Sequence, residues 1–155
     1  MDSPNPIIQA AAECGRTHGF EKRSSSWYRT EDETIAVYQV QRSSFGPQFY
    51  VNVALWLLPL GAHHYPKERE CHIRTRLSQL VDDASSGLDD TLNLEFSMSA
   101  SERQNNLQRL LEIYMIPLLD RSATIAGILD ETNPLLARSL VTAAAQEMLD
   151  SFQAT

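Results

Sequence analysis

The stretch ECHIRTRLSQL, residues 70–80, brings a cysteine, a histidine and two arginines into one segment. Read as a strand, its side chains alternate between two faces. Cys71, Ile73, Thr75, Leu77 and Gln79 then share one face, and His72, Arg74 and Arg76 form a row on the other, about 7 Å between neighbours. Arginine forks bind carboxylate or phosphate through two parallel hydrogen bonds. A histidine titrates near neutrality and can move a proton. Arg42, Gln39, Gln41 and Asn52 lie on strand-like segments that would extend the row if 34–43, 48–58 and 71–80 adjoin. The candidate binding set is therefore Gln41, Arg42, Asn52, His72, Arg74 and Arg76. Its bland counterpart is a solvent-facing sheet surface, with the arginines paired to the chain's own carboxylates.

Other chemistry is poorly signalled. His63, His64, Cys71 and His72 include metal-ligating types, but zinc needs ligands that converge tetrahedrally. On a strand Cys71 and His72 point to opposite faces, so neither a shared ion nor a Cys–His nucleophile pair is expected there. Cys71 reads as a small buried hydrophobe. No phosphate-cradling glycine loop, no G-x-S-x-G elbow and no H-E-x-x-H occurs. No metal and no cofactor is expected. The carboxylates Glu31–Asp32–Glu33, Asp82–Asp83 and Asp89–Asp90 sit in turn-like segments. They read as solvated turns, or as a negative surface for a basic partner.

The elements that must position these residues follow from length and pattern. The 155 residues fit one domain, 1–155, with one core. A net charge of −7 argues against nucleic-acid or anionic-membrane binding. Cys14 and Cys71 make no disulfide framework, and the start MDSPNPIIQ has no basic region before an apolar one, so a cytoplasmic protein is expected. Asn5 and Pro6 start a helix whose apolar residues are Ile8, Ala11, Ala12 and Gly15, and GFEKRSSS reads as a link. Residues 26–30 and 34–43 read as a hairpin, 48–58 as a strong strand, 71–80 as a fourth and 91–98 as a short fifth. Ser99 and Glu102 have capping-box spacing. Leu107, Leu110, Leu111, Tyr114, Met115 and Leu118 then form one helical stripe, which Pro117 kinks or ends. Leu136, Leu140, Ala144 and Met148 give a final helical extension, 133–155. Helix, strands, then helices make an α+β fold: a mainly antiparallel sheet of four to five strands, with an N-terminal helix and C-terminal helices packed on one face.

These segments resemble a known family. GFEKRSSSWYR, VYQVQRSSFGPQFYVNVALWL, CHIRTRLSQLV and IYMIPLLDRSATIAGIL are similar, in that order, to domain of unknown function family 4304. The motifs fall on Gly19, Phe20, Lys22 and Arg23; on Trp27, Tyr28 and Arg29; on Gln39 to Ser43; on Asn52; on Cys71, His72, Arg74 and Arg76; and on Tyr114, Pro117, Leu118 and Leu119. The likeness runs from about residue 7 to 130. The family often has asparagine at the place of Gln39 and tryptophan at that of Ile73, and the tail from Asn133 looks like an addition. The resemblance implies a fold and a residue set, not a reaction, and a bacterial source.

Two functional expectations follow. One is a non-catalytic binding or interaction module that uses the arginine-bearing face on a protein or small anionic ligand, an immunity-like protein being its specific version. The other is an enzyme on a phosphate- or carboxylate-bearing molecule, with Arg74 and Arg76 as anion binders and His72 as acid/base. A monomer or a homodimer fits both. A dimer would join through a strip such as Trp56, Leu57 and Leu58 or through the tail helix.

Overall fold

The computed structural model describes residues 5–153; the ends of the 1–155 assignment lie outside them. Helix α1, Pro6–Thr17, starts as its sequence dictates: the Asn5 side chain accepts from the Ile7 N–H at 2.8 Å, and Pro6 takes the first turn. Its buried stripe is Ile7, Ala10, Ala11, Cys14 and Gly15, while Ile8 is exposed, so the helix is rotated from the expected face. At Gly15 a Cβ would lie 2.6 Å from the Trp27 ring and 2.7 Å from the Tyr38 hydroxyl, so only glycine permits this approach to the sheet.

Among the described residues the sheet has six strands, not four or five: β1 Glu21–Arg23, β2 Ser26–Thr30, β3 Thr34–Arg42, β4 Phe49–Leu57, β5 Ile73–Arg76 and β6 Leu140–Val141. They pair in chain order, and each neighbouring pair is antiparallel. Two strands were missed. β1 was read as link, because three exposed residues carry no apolar alternation. β6 was read as helix, because Leu136, Leu140, Ala144 and Met148 mimic a helical stripe. In the structure Leu140 is 74% exposed beside β5, and the buried residues of the true helix are Ala145 and Leu149. The tail is therefore not a helical extension: it supplies an edge strand and then a helix.

The fourth strand is shorter than expected. After Arg76 the chain turns into helix α2, Leu77–Leu80, because Leu77 and Leu80 are spaced to bury together. The expected strand 91–98 is absent. Leu88–Leu92 is helix α3, and only Asn93 bridges to Gln48. Helix α4, Ala100–Leu110, has Ser99 as its cap, its hydroxyl accepting from the Glu102 N–H at 3.1 Å. Pro117 does not end the helical run, which continues to Arg121. Lacking an N–H, it cannot continue the regular ladder, and the chain widens into one π turn, Leu111–Met115. Ile116 N–H reaches back to Leu111 O there, and helix α5 continues over Ile116–Arg121. Helix α6 is Ile125–Leu129, and α7 is Ala143–Gln153.

The core lies between one sheet face and the helices. Ala36, Tyr38, Val51, Val53, Leu55 and Ile73 meet Ile7, Leu107, Leu110, Met115, Leu119 and Leu149. Tyr38 stacks on Trp27 with ring centres 5.0 Å apart, and its buried hydroxyl donates to Ala11 O at 2.7 Å. Among the described residues no helix is long and apolar enough to cross a membrane.

Candidate functional site

The far face of the sheet carries the predicted residues, but it is not bare. The β4–β5 connection, residues 58–72, folds back over half of it. Cys71 packs there with Tyr28, Ile35, Val37 and Ala54, against Trp56 and Leu58. Cys71 precedes the strand and does not follow its alternation, so it lies on the same face as His72 rather than opposite. Burial pushes its thiol up to about 12, as it does that of Cys14. Neither is a nucleophile at neutral pH. Leu57 is fully buried in the helical-side core, and Trp56 donates to Gly61 O at 2.8 Å under the His63 and His72 rings. Of the apolar strip expected for a dimer, Leu57 is thus buried in the core, and Trp56 and Leu58 are partly buried.

The other half of the face stays open and polar. The register sets Gln39 opposite Asn52 and Asn52 opposite Arg76, one row across three strands. Asn52 is 4% exposed and organises that row. Its amide nitrogen donates to Gln39 Oε1 at 3.0 Å and to Gln41 Oε1 at 2.8 Å; its oxygen accepts from Arg76 Nε at 3.1 Å. With their oxygens turned to Asn52, both glutamines direct their amide donors away from it. The Arg76 guanidinium lies on the Tyr50 ring, 4.2 Å from its centre, and meets no carboxylate among the described residues. Two of its nitrogens make no hydrogen bond there.

Arg74 differs. Its Nε and Nη2 clasp both oxygens of Glu68 at 3.1 and 2.9 Å, and Glu68 is 5% exposed. This pair pins the covering connection to β5 and separates two clefts. One, of about 480 Å³, is lined by Gln41, Asn52, Arg74, Arg76, Gln79 and residues 137–140. The other, of about 530 Å³, lies between Ser24–Ser26, Gln39, Gln41 and Lys67–Arg69.

The structure thus brings together Gln41, Asn52, Arg74 and Arg76, and excludes two predicted residues. Arg42 pairs in register with Phe49 and has the parity of Tyr38 and Val40, so it belongs to the helical face, where its guanidinium lies 6.0 Å from the Phe49 ring centre. Odd and even positions of one strand cannot share a face. His72 lies at the other end of β5, its Nδ1 accepting from the Leu57 N–H at 2.8 Å and its ring on Trp56, and it lines neither cleft. Glu68, Gln79, Arg138 and Ser139 were missed. Glu68 had no pattern to reveal it, and the tail residues had been assigned to helix. The acidic turns are largely engaged internally: Glu31 pairs with Arg29, Glu33 accepts the Ile125 N–H, Asp82 pairs with Arg138, and Asp83 caps Ser85.

A family model described as Domain of unknown function (DUF4304) matches residues 11–121. The chain belongs to that family. No curated protein and no solved structure matches it. The DUF4304 match includes Gln41, Asn52, Glu68, Arg74 and Arg76 but stops before residues 137–140, so one wall of the cleft of about 480 Å³ comes from outside the matched region.

His72 gives this DUF4304 domain a pH dependence with a definite sign. Burial lowers its pKa below the ordinary 6.5. The unfolded chain then takes up the proton first, so His72 contributes stability at higher pH that is lost as pH falls below 6.5. His72→Asn keeps an acceptor for the Leu57 N–H without the titration. Urea unfolding at about pH 7.5 and about pH 5.5 should show a smaller acid loss in the variant than in the wild type. Equal losses would assign the acid sensitivity to other groups.

Proposed function

We propose that this domain is a non-catalytic binding module whose far-face cleft takes an anionic group, a carboxylate or phosphate, through Arg76 and the Gln41 amide. The observation that carries the reading is the Arg76 guanidinium. It is held by Asn52 and Tyr50, free of any carboxylate among the described residues, and open to a cleft of about 480 Å³. A fork held in place loses less entropy on binding than a mobile one. The enzyme reading has less support, because His72 is turned away from the arginines and spends Nδ1 on a backbone amide. The reading as an immunity-type partner of a basic protein would rest on acidic turns that mostly serve the fold.

The test is thermal unfolding with phosphate or citrate at constant ionic strength. A ligand that binds only the folded state raises the midpoint by mass action. The wild-type midpoint should rise with anion concentration, and that of folded Arg76→Ala should rise far less. Equal rises in both would reduce the effect to general salting and remove Arg76 from the site.

A further inference from the structure

On the helical side, away from the cleft, a second group of side chains converges. Cys14 and His18 stand four residues apart at the end of α1, and Glu112 faces them from the π turn. One ligand atom from each lies within 4.8 Å of the others. His18 Nε2 is 2.8 Å from both Glu112 carboxylate oxygens. We propose that Cys14, His18 and Glu112 form a binding site for a thiophilic divalent cation, with zinc as the ion it fits.

The chemistry of the donors selects the ion. A thiolate, an imidazole and a carboxylate suit zinc, whereas calcium and magnesium prefer oxygen alone. Zinc bonds of about 2.3 Å to sulfur and about 2.0 Å to nitrogen and oxygen put tetrahedral ligands roughly 3.5 Å apart. Closing from the observed spread needs a shift of about 1 Å, within reach of side-chain rotation. His18 and Glu112 keep 24% and 44% of their side-chain exposure, so the ion has an entry path and the fourth position faces water. Cys14 forms the buried floor at 2% exposure.

The surroundings are those of a supported site. Arg29 donates to His18 O at 3.0 Å while pairing with Asp120 at 2.6 Å, and Tyr38, beside Cys14, is held by donating to Ala11 O at 2.7 Å. Such outer contacts fix the ligands that hold a metal. Glu112 is carried by the π turn, a conformation rare in helices and frequent at functional sites. Coordination exchanges the thiol proton for the ion and releases that proton to solvent. The bound ion ties α1 to the long helical run that covers the core.

Cobalt titration of the full chain reads the site, since a cobalt–thiolate bond gives a near-ultraviolet charge-transfer band. One equivalent should produce the band, zinc should displace it, and Cys14→Ser should abolish it. Glu112→Gln, at a part-exposed position, should weaken zinc binding at least tenfold in a folded protein. Absence of the band in the wild type, its survival in Cys14→Ser, or unchanged zinc affinity in Glu112→Gln would each overturn the site.

Discussion

Arg103→Ala should lower the unfolding free energy by about 3–5 kcal/mol, the largest loss expected from any single polar substitution in this domain. Arg103 is 3% exposed, yet no carboxylate faces it among the described residues. Its guanidinium instead donates to four backbone carbonyls: Asp90 O at 3.0 Å, Thr91 O at 2.7 Å, Asn93 O at 2.9 Å and Phe96 O at 2.7 Å. These carbonyls close α3 and the turn after it, so one side chain organises a segment with no strand ladder of its own. Truncation leaves acceptors unsatisfied, each costing about 1–3 kcal/mol, partly regained where water enters. For a chain of this length the midpoint should fall by roughly 6–20 °C. Lysine has no planar fork and should recover only part of the loss. A loss under about 1 kcal/mol would show that the turn holds without the arginine.

Arg74→Ala should cost about 3 kcal/mol, whereas Arg76→Ala should cost under about 1 kcal/mol, although the two stand two residues apart on one face of β5. The difference lies in what each leaves behind. Without Arg74, Glu68 remains as a buried carboxylate with no cation against it. Without Arg76, Asn52 loses one hydrogen bond but keeps two, and the vacated edge is open to water. Removing both partners, as in Arg74→Met with Glu68→Leu, should cost less than Arg74→Ala alone, because no buried charge is stranded. Urea unfolding of the wild type and these three variants tests the ordering. Equal costs for Arg74→Ala and Arg76→Ala would contradict the division of the arginine row into a structural and a free member.

Much of the helical face was legible because burial imposes a period. Phe49, Val51, Val53 and Leu55 alternate as a half-buried strand must, and Leu107, Leu110, Leu111 and Met115 recur as a buried helix must. The antiparallel pairing of β2, β3 and β4 was legible because short turns join them, whereas the places of β5 and β6 depend on long connections. The edges were not legible: β1 has no buried residue, and β6 is two residues long and fixed by pairing to Arg74 and Ile73 rather than by its own pattern. Of the candidate site, Gln41, Asn52, Arg74 and Arg76 could be read from alternation. Arg42 was misplaced although the same alternation puts it on the Tyr38 side. Glu68 could not be found, because a charge in a connection announces nothing until the connection folds over the sheet. Arg103 did leave a signal, standing four residues before Leu107 on the buried stripe of α4.

The central claim is that one arginine of the row is spent on the fold and the other is free for an anion. It is tested most directly by nuclear magnetic resonance of the arginine side-chain N–H groups during titration with inorganic phosphate. The Arg76 Nε resonance should move saturably while that of Arg74, already clasped by Glu68, stays in place. Movement of Arg74 with Arg76 unaffected, or of neither, would contradict the account.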